Sequence, residues 1–432
     1  MKKCFSHSFI AFIFYTVGMV SAQAQDNVMP INIETVLKLS GSNNLEIAEV
    51  TARYELAKAK QAEAKEWILP SLNPGINLTS YNGTIQDVVG VFVGVDKNSF
   101  WAGINITADW NLGDGIYNQL AAKQYLELAS HEKSIIEAQA TLKAIRIFYN
   151  LGAAQSKLLA LEKLVSKSDD ILKQLTLQVE QGITYKSDLL LAQANHNHLR
   201  IEYSKARSEM KLHSHELLQH LNIAEDAQLL VTDSVLIPVA LVDTNKVELA
   251  AAYEKRPEML LYKSKIAGLE LEQKTQTTGI LLPNFDFELN NGPLGPYFSP
   301  DGNAMYYYFG AKWNVPLGAL VFGGVKKQFD AKIKIAEVQS THAKNIIRRE
   351  IWDEESHVHA ADLRMKLAKS ALGYAEEAFD QSTQRQALGT AIPLEVLRAQ
   401  EQVLEANLDL IDAITLYNQA QYALYIALGN KL

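Results

Sequence analysis

Two periods divide the chain. Over most of its length apolar residues recur at three- and four-residue intervals, which keeps one face of a helix apolar, while four short stretches alternate with the period two of a strand. The helical pattern is clearest in the last stretch, where Val396, Val403, Leu410, Tyr417 and Leu424 lie seven apart with Leu397, Leu404 and Ile411 beside them. That is the seam of a coiled coil. Uninterrupted helices are predicted over residues 117–181 and 325–388, and at about 1.5 Å per residue each reaches roughly 90 Å. No globular core is that wide, so such helices must pack side by side.

In the second alternating stretch Ala102, Ile104, Ile106, Ala108, Trp110 and Leu112 share one face, and Gly103, Asn105, Thr107, Asp109 and Asn111 the other. The third sets Phe285, Phe287 and Leu289 against Asp286, Glu288 and Asn290; the first sets Ile76 and Leu78 against Asn77 and Thr79. The fourth sets Phe309, Ala311, Trp313 and Val315 against Tyr308, Gly310, Lys312 and Asn314. Strands of this kind, with the aromatics 306–309 as an interfacial girdle, fit a barrel with a lipid-facing and a water-lined side. A half-buried soluble sheet alternates in the same way. Four strands cannot enclose water, and an open sheet edge is not tolerated in lipid. Strands in a membrane therefore require several copies of the chain, and three copies supply 12.

The elements occur twice. Residues 44–77 align without a gap on 257–290, each a helix followed by Leu-Pro (Leu69-Pro70, Leu282-Pro283) and an extended segment. Trp110-Asn111-Leu112 matches Trp313-Asn314-Val315, and residues 182–221 match 389–428, with Asp188-Leu189-Leu190 opposite Glu395-Val396-Leu397. The shared order marks an internal repeat. Each unit reads as a helix of roughly 35 residues, two strands, a helix of about 60, a short turn and a helix of about 35. The predicted division is a first repeat at 25–222 with strands near 72–81 and 100–112, a linker with a short strand at 223–245, and a second repeat at 246–432 with strands near 284–292 and 304–317.

Residues 1–24 read as a secretory signal: Lys2 and Lys3, an apolar run over 9–20, then Ala22-Gln23-Ala24 as a cleavage site. The run is too short to span a bilayer. Cleavage removes Cys4, the only cysteine of the 432 residues, so the mature chain has neither disulfide nor thiolate. The charge of −8 becomes −10, with basic residues scattered among acidic ones, which gives nucleic-acid binding no support. With 48% hydrophobic residues, disorder is excluded as well. No phosphate-cradling loop, His-Glu-x-x-His or Gly-x-Ser-x-Gly occurs, so no catalytic residue, cofactor or metal site is predicted and the chain is not read as an enzyme. His196, His198, His213, His215 and His220 crowd one helix, but neighbours two apart point to different faces. His196 also takes the heptad place of Val403, so a packed seam residue is the better reading.

The doubled set, with Trp313-Asn314-Val315-Pro316-Leu317 and Phe322-Gly323-Gly324, resembles the TolC-like outer-membrane efflux proteins over essentially the whole mature chain. That resemblance implies a mainly α fold with a membrane β-barrel: a homotrimer with a 12-stranded barrel in the Gram-negative outer membrane on a long α-helical barrel crossing the periplasm. It implies the passive exit duct of a tripartite efflux or type I secretion system, with a periplasmic adaptor and an inner-membrane pump as partners. A soluble periplasmic coiled-coil adaptor or scaffold is the alternative. The first unit departs from the pattern, since Gly113-Asp114-Gly115 replaces the Pro-Leu of 316–317. Adaptor docking is implied at the turns Gly182-Ile183-Thr184 and Gly389-Thr390. In family members an arginine and a tyrosine near the second turn bind an acidic residue of the first, and two acidic residues ring the aperture. Here the acidic partner is kept as Asp188 and the first ring acid as Glu395, while the tyrosine place is Gln386, the arginine place Ala391 and the second ring acid Arg398. Glu395 and Arg398, three apart, are expected to pair, with Arg385 as a rival ligand for Asp188.

Overall fold

The computed structural model describes residues 28–223, 227–232 and 237–432; the predicted signal lies outside them. The described residues open with β1 (Val28–Ile31), α1 (Ile33–Asn43) and α2 (Leu45–Glu63). Asn44 breaks the predicted 35-residue helix. Its backbone is extended and its side chain accepts from Glu46 N at 2.8 Å and Ile47 N at 3.2 Å, starting a new helix. Next come β2 (Ser71–Gln86), β3 (Phe92–Asn111), α3 (Leu112–Glu180) and α4 (Lys186–His220). Then follow β4 (Gln228–Val231), α5 (Leu249–Lys255) and α6 (Pro257–Thr275). The second unit breaks its first helix at the equivalent place, because Arg256 precedes a proline and is held extended. The chain ends with β5 (Asn284–Gly295), β6 (Gly302–Lys312), α7 (Leu317–Phe322), α8 (Gly324–Ala387) and α9 (Pro393–Ala427).

β2, β3, β5 and β6 form one antiparallel sheet in that order, so β2 and β6 are its edges. Register puts Leu72, Ile106, Leu289 and Tyr307 in one row and Asn73, Asn105, Asn290 and Tyr306 in the next, on opposite faces. The strand limits differ from the sequence prediction. β2 and β3 zip together as far as Gln86 opposite Phe92, whereas β3 and β5 stop pairing at Phe100 opposite Gly295. Residues 92–99 with their β2 partners thus leave the sheet as a two-stranded ribbon, roughly 27 Å long at about 3.4 Å per residue. Asp87 closes its tip by accepting from the N–H groups of Val89 and Val91, both at 2.9 Å. Leu112 belongs to α3, which Asn111 caps by accepting from Asp114 N at 3.0 Å. β6 ends at Lys312 and not at 317, because its partner β5 begins at the opposite Asn284 and Pro316 has no N–H to pair.

α3 has 69 residues, roughly 100 Å of helix, and is the spine of the molecule. One half packs against α2 and α6, the other against α4 and α9, while α8 and α9 pair along their length. Three apolar clusters follow this axis. The middle one gathers Ile31, Val36, Phe148, Leu217, Leu229 and Tyr422 around β1 and its parallel partner β4, so the linker strand belongs to an equatorial layer with the start of the chain. A second, around Ala252, Ile347, Ile351 and Leu424, closes the second unit at the same level. The third, with Leu161, Leu175, Leu199, Phe379, Val396 and Val403, runs toward the helix turns. The two units end alike. Asn222 and Gly429 take left-handed backbone at the close of α4 and α9, and the next residues, Ile223 and Asn430, donate back to Leu218 O and Tyr425 O.

Candidate functional site

The far end of the helices is built by two matched turns. Gly182 and Gly389 have φ of 72° and 73°, which favours glycine, and the next N–H of each turn reaches back to the helix: Ile183 N to Gln178 O and Thr390 N to Arg385 O, both 2.8 Å. Four large apolar side chains stand out in solvent here: Ile183 and Tyr185 on the first turn, Leu388 and Ile392 on the second. Sequence reasoning singled out only the first of them. The signal was available, since large apolar side chains beside turn glycines have no place in a solvated loop.

The polar groups of the tip divide in two. Asp188 stays with its own turn, accepting from Thr184 Oγ1 at 2.9 Å. At the second turn Arg385 places Nη1 3.4 Å from Glu395 Oε2 and Nη2 3.4 Å from Thr390 O, while Thr390 Oγ1 donates to Arg385 O at 3.0 Å. The predicted pairing is corrected here: Glu395 binds Arg385 and not Arg398, and Arg385 does not reach Asp188. Arg385 stands in the last turn of α8 and Glu395 in the first turn of α9, so the short turn sets them face to face. Each also suits its helix end, a cation at the carbonyl end and an anion at the amide end. Arg398 is exposed and makes no ion pair within the described residues. Ala391 is half-buried. Gln386 is 3% exposed, and neither its amide nitrogen nor its oxygen finds a partner among the described residues.

The histidines do not converge. His196 packs in the seam with Nε2 3.4 Å from Asp169, His213 meets Glu216, His215 meets Lys211 O and His220 meets Ala140 O. Among the described residues no three His, Cys, Asp or Glu side chains gather into a metal-binding group. The aromatics at 306–309 alternate across β6, with Tyr307 and Phe309 in rows with Leu289 and Phe287 on one face and Tyr306 and Tyr308 on the other. They therefore do not share one face of the strand. At the helix end of the sheet, ring centroids lie 5.8 Å apart for Phe285–Phe309 and 6.4 Å for Trp110–Phe287, an apolar aromatic band. No described helix is long and apolar enough to cross a membrane.

This architecture has solved counterparts. A membrane protein from Pseudomonas aeruginosa superposes with a TM-score of 0.78 at 14% identity, covering 92% of this chain and 93% of that one. The chain has the fold of the TolC-like outer-membrane channels. The CmeC outer membrane channel of Campylobacter jejuni matches with a TM-score of 0.75 at 14% identity over 92% of this chain and 85% of that one. The outer membrane protein VceC of Vibrio cholerae matches at 0.74 and 14% over 92% and 96%. By sequence, no family model and no curated protein matches. At such identity the TolC-like likeness resides in backbone architecture.

Proposed function

We propose that the chain is the exit duct of a tripartite efflux or type I secretion system, a homotrimer whose 12 strands close a barrel in the outer membrane and whose helices cross the periplasm. The observation that carries this reading is the four-stranded sheet with both edges, β2 and β6, unpaired at one end of helices roughly 100 Å long. Each unpaired backbone group in hydrocarbon costs several kcal/mol, and edge-to-edge closure of copies removes that cost. The apolar rows then face lipid and the Asn and Asp rows line water. The four exposed apolar side chains of the tip, beside the glycine turns, supply a docking surface for the helical hairpins of a periplasmic adaptor. Energy comes from an inner-membrane pump, so the duct itself is passive.

Fractionation followed by cross-linking in detergent tests the reading. A trimer extracted from the outer membrane is the expected result. A protein released without detergent, or one that cross-links only to monomers and dimers, overturns it.

A further inference from the structure

The two units make their strand-to-helix transition differently. In the first, α3 starts directly after β3 and is sealed within the chain: Trp110 Nε1 donates to Ile68 O at 2.9 Å, and added Cβ atoms at Gly113 and Gly115 would strike Gly279 O and the Trp67 ring. In the second, the stretch from Trp313 to Gly389 is four residues longer than its counterpart from Trp110 to Gly182, and the surplus falls around α7. No residue of α7 is buried. Leu317 is 71% exposed, Val321 75% and Phe322 76%, with Leu320 and Trp313 also open.

The occupant of this face is indicated by what flanks it. Toward the sheet, Met305, Tyr307 and Phe309 form the exposed apolar row of β6, and Trp313 and Val315 follow in the same alternation. From 313 to 325 there is no ionisable residue; then come Lys326 and Lys327, both exposed and without an ion pair among the described residues. An apolar turn continuous with a lipid-facing strand, ending in a lysine pair, matches an interfacial helix whose cations sit among anionic headgroups. We infer that α7 is a lipid-seated foot, lying in the headgroup–acyl boundary of the inner leaflet and bound there by phospholipid. This rests on the barrel reading above. One such foot per chain would anchor the junction between barrel and helices, where an apolar face embeds about 5–10 Å deep.

The test uses full-length protein in phosphatidylethanolamine–phosphatidylglycerol vesicles. Cys4, the only cysteine, precedes the predicted cleavage site, so single cysteines can be introduced as L320C, F322C or, in the strand, I104C. Each carries an environment-sensitive fluorophore, with lipids spin-labelled near the headgroup and, in separate vesicles, along the acyl chain, or iodide in the aqueous phase, as quenchers. The expected result is quenching of about twofold or more by a lipid label at all three positions, with iodide ineffective. If I104C is quenched by lipid while L320C and F322C are quenched by iodide, α7 is not a foot. If neither quencher reaches 320 and 322 and cross-linking joins them to another copy, a second protomer covers the face and the inference is overturned. Absence of lipid quenching at I104C removes the barrel reading itself.

Discussion

Arg385 decides the charge at the tip. Because it holds Glu395, the aperture of the proposed trimer would carry carboxylates that are already partnered, not a ring of six unpaired acids. Both groups are about half exposed, so the pair contributes little stability, and its consequence is electrostatic. R385A is therefore expected to raise cation selectivity in single-channel recordings and to create sensitivity to trivalent cations, which E395Q abolishes; R398A should do neither. Equal effects of R385A and R398A would contradict the partner assignment. A second residue-level prediction concerns Arg256, whose side chain is 8% exposed and binds Glu258 and Glu350, with three contacts of 2.8 Å, and Ala427 O. Removing it strands two carboxylates, one of them 42% exposed and so partly relieved by water. R256A is expected to cost about 2–3 kcal/mol, read as a lowered melting temperature with trimer assembly retained below it. Partners of this kind were not legible in the sequence. Glu395 has Arg398 on its own face at helical spacing and Arg385 across a turn, and only the geometry of that turn chooses between them.

At the scale of elements, periodicity reports faces well and limits poorly. The heptad positions from Val396 to Leu424, the four alternating strands and the two turn glycines are all where repetition of side-chain character places them. The break at Asn44, the ribbon past Phe100 and the end of β6 at Lys312 depend on what a neighbouring strand or backbone group does. The same holds at Gly103, where a Cβ would strike Asn291 O across the β3–β5 crossing; G103V should block assembly although the residue looks like any strand glycine. The face assignment itself is testable on one strand. I76R is expected to impair membrane assembly by about 2–4 kcal/mol if the site lies near the bilayer midplane, and N77R to be tolerated, as measured by heat-modifiable trimer on gels. Equal tolerance at both would remove the distinction between lipid and water faces. At the tip, T184W and T390W should abolish export while trimer and insertion persist, since both threonines serve the turns and lie far from the sheet.

As a whole molecule the chain is two copies of one design that are not interchangeable. The first unit supplies the spine, the sealed junction and the longer hairpin; the second supplies α7 and the Arg385 contact. A ring of three such chains has threefold symmetry with a near repeat at sixty degrees, and whatever differs between the units recurs three times and not six. The ribbon at the end of β2 and β3 is the clearest case. Its tip carries Val88, Val89, Val91 and Phe92 on a turn held by Asp87, beyond the reach of β5 and β6. In the trimer proposed above, seen from outside the cell, this ribbon would make a low rim with three tall prongs, the first parts an antibody, a bacteriophage or a protease would meet. A peptide epitope inserted between Val89 and Gly90 should thus be stained on intact cells without loss of export, because no other element leans on that turn.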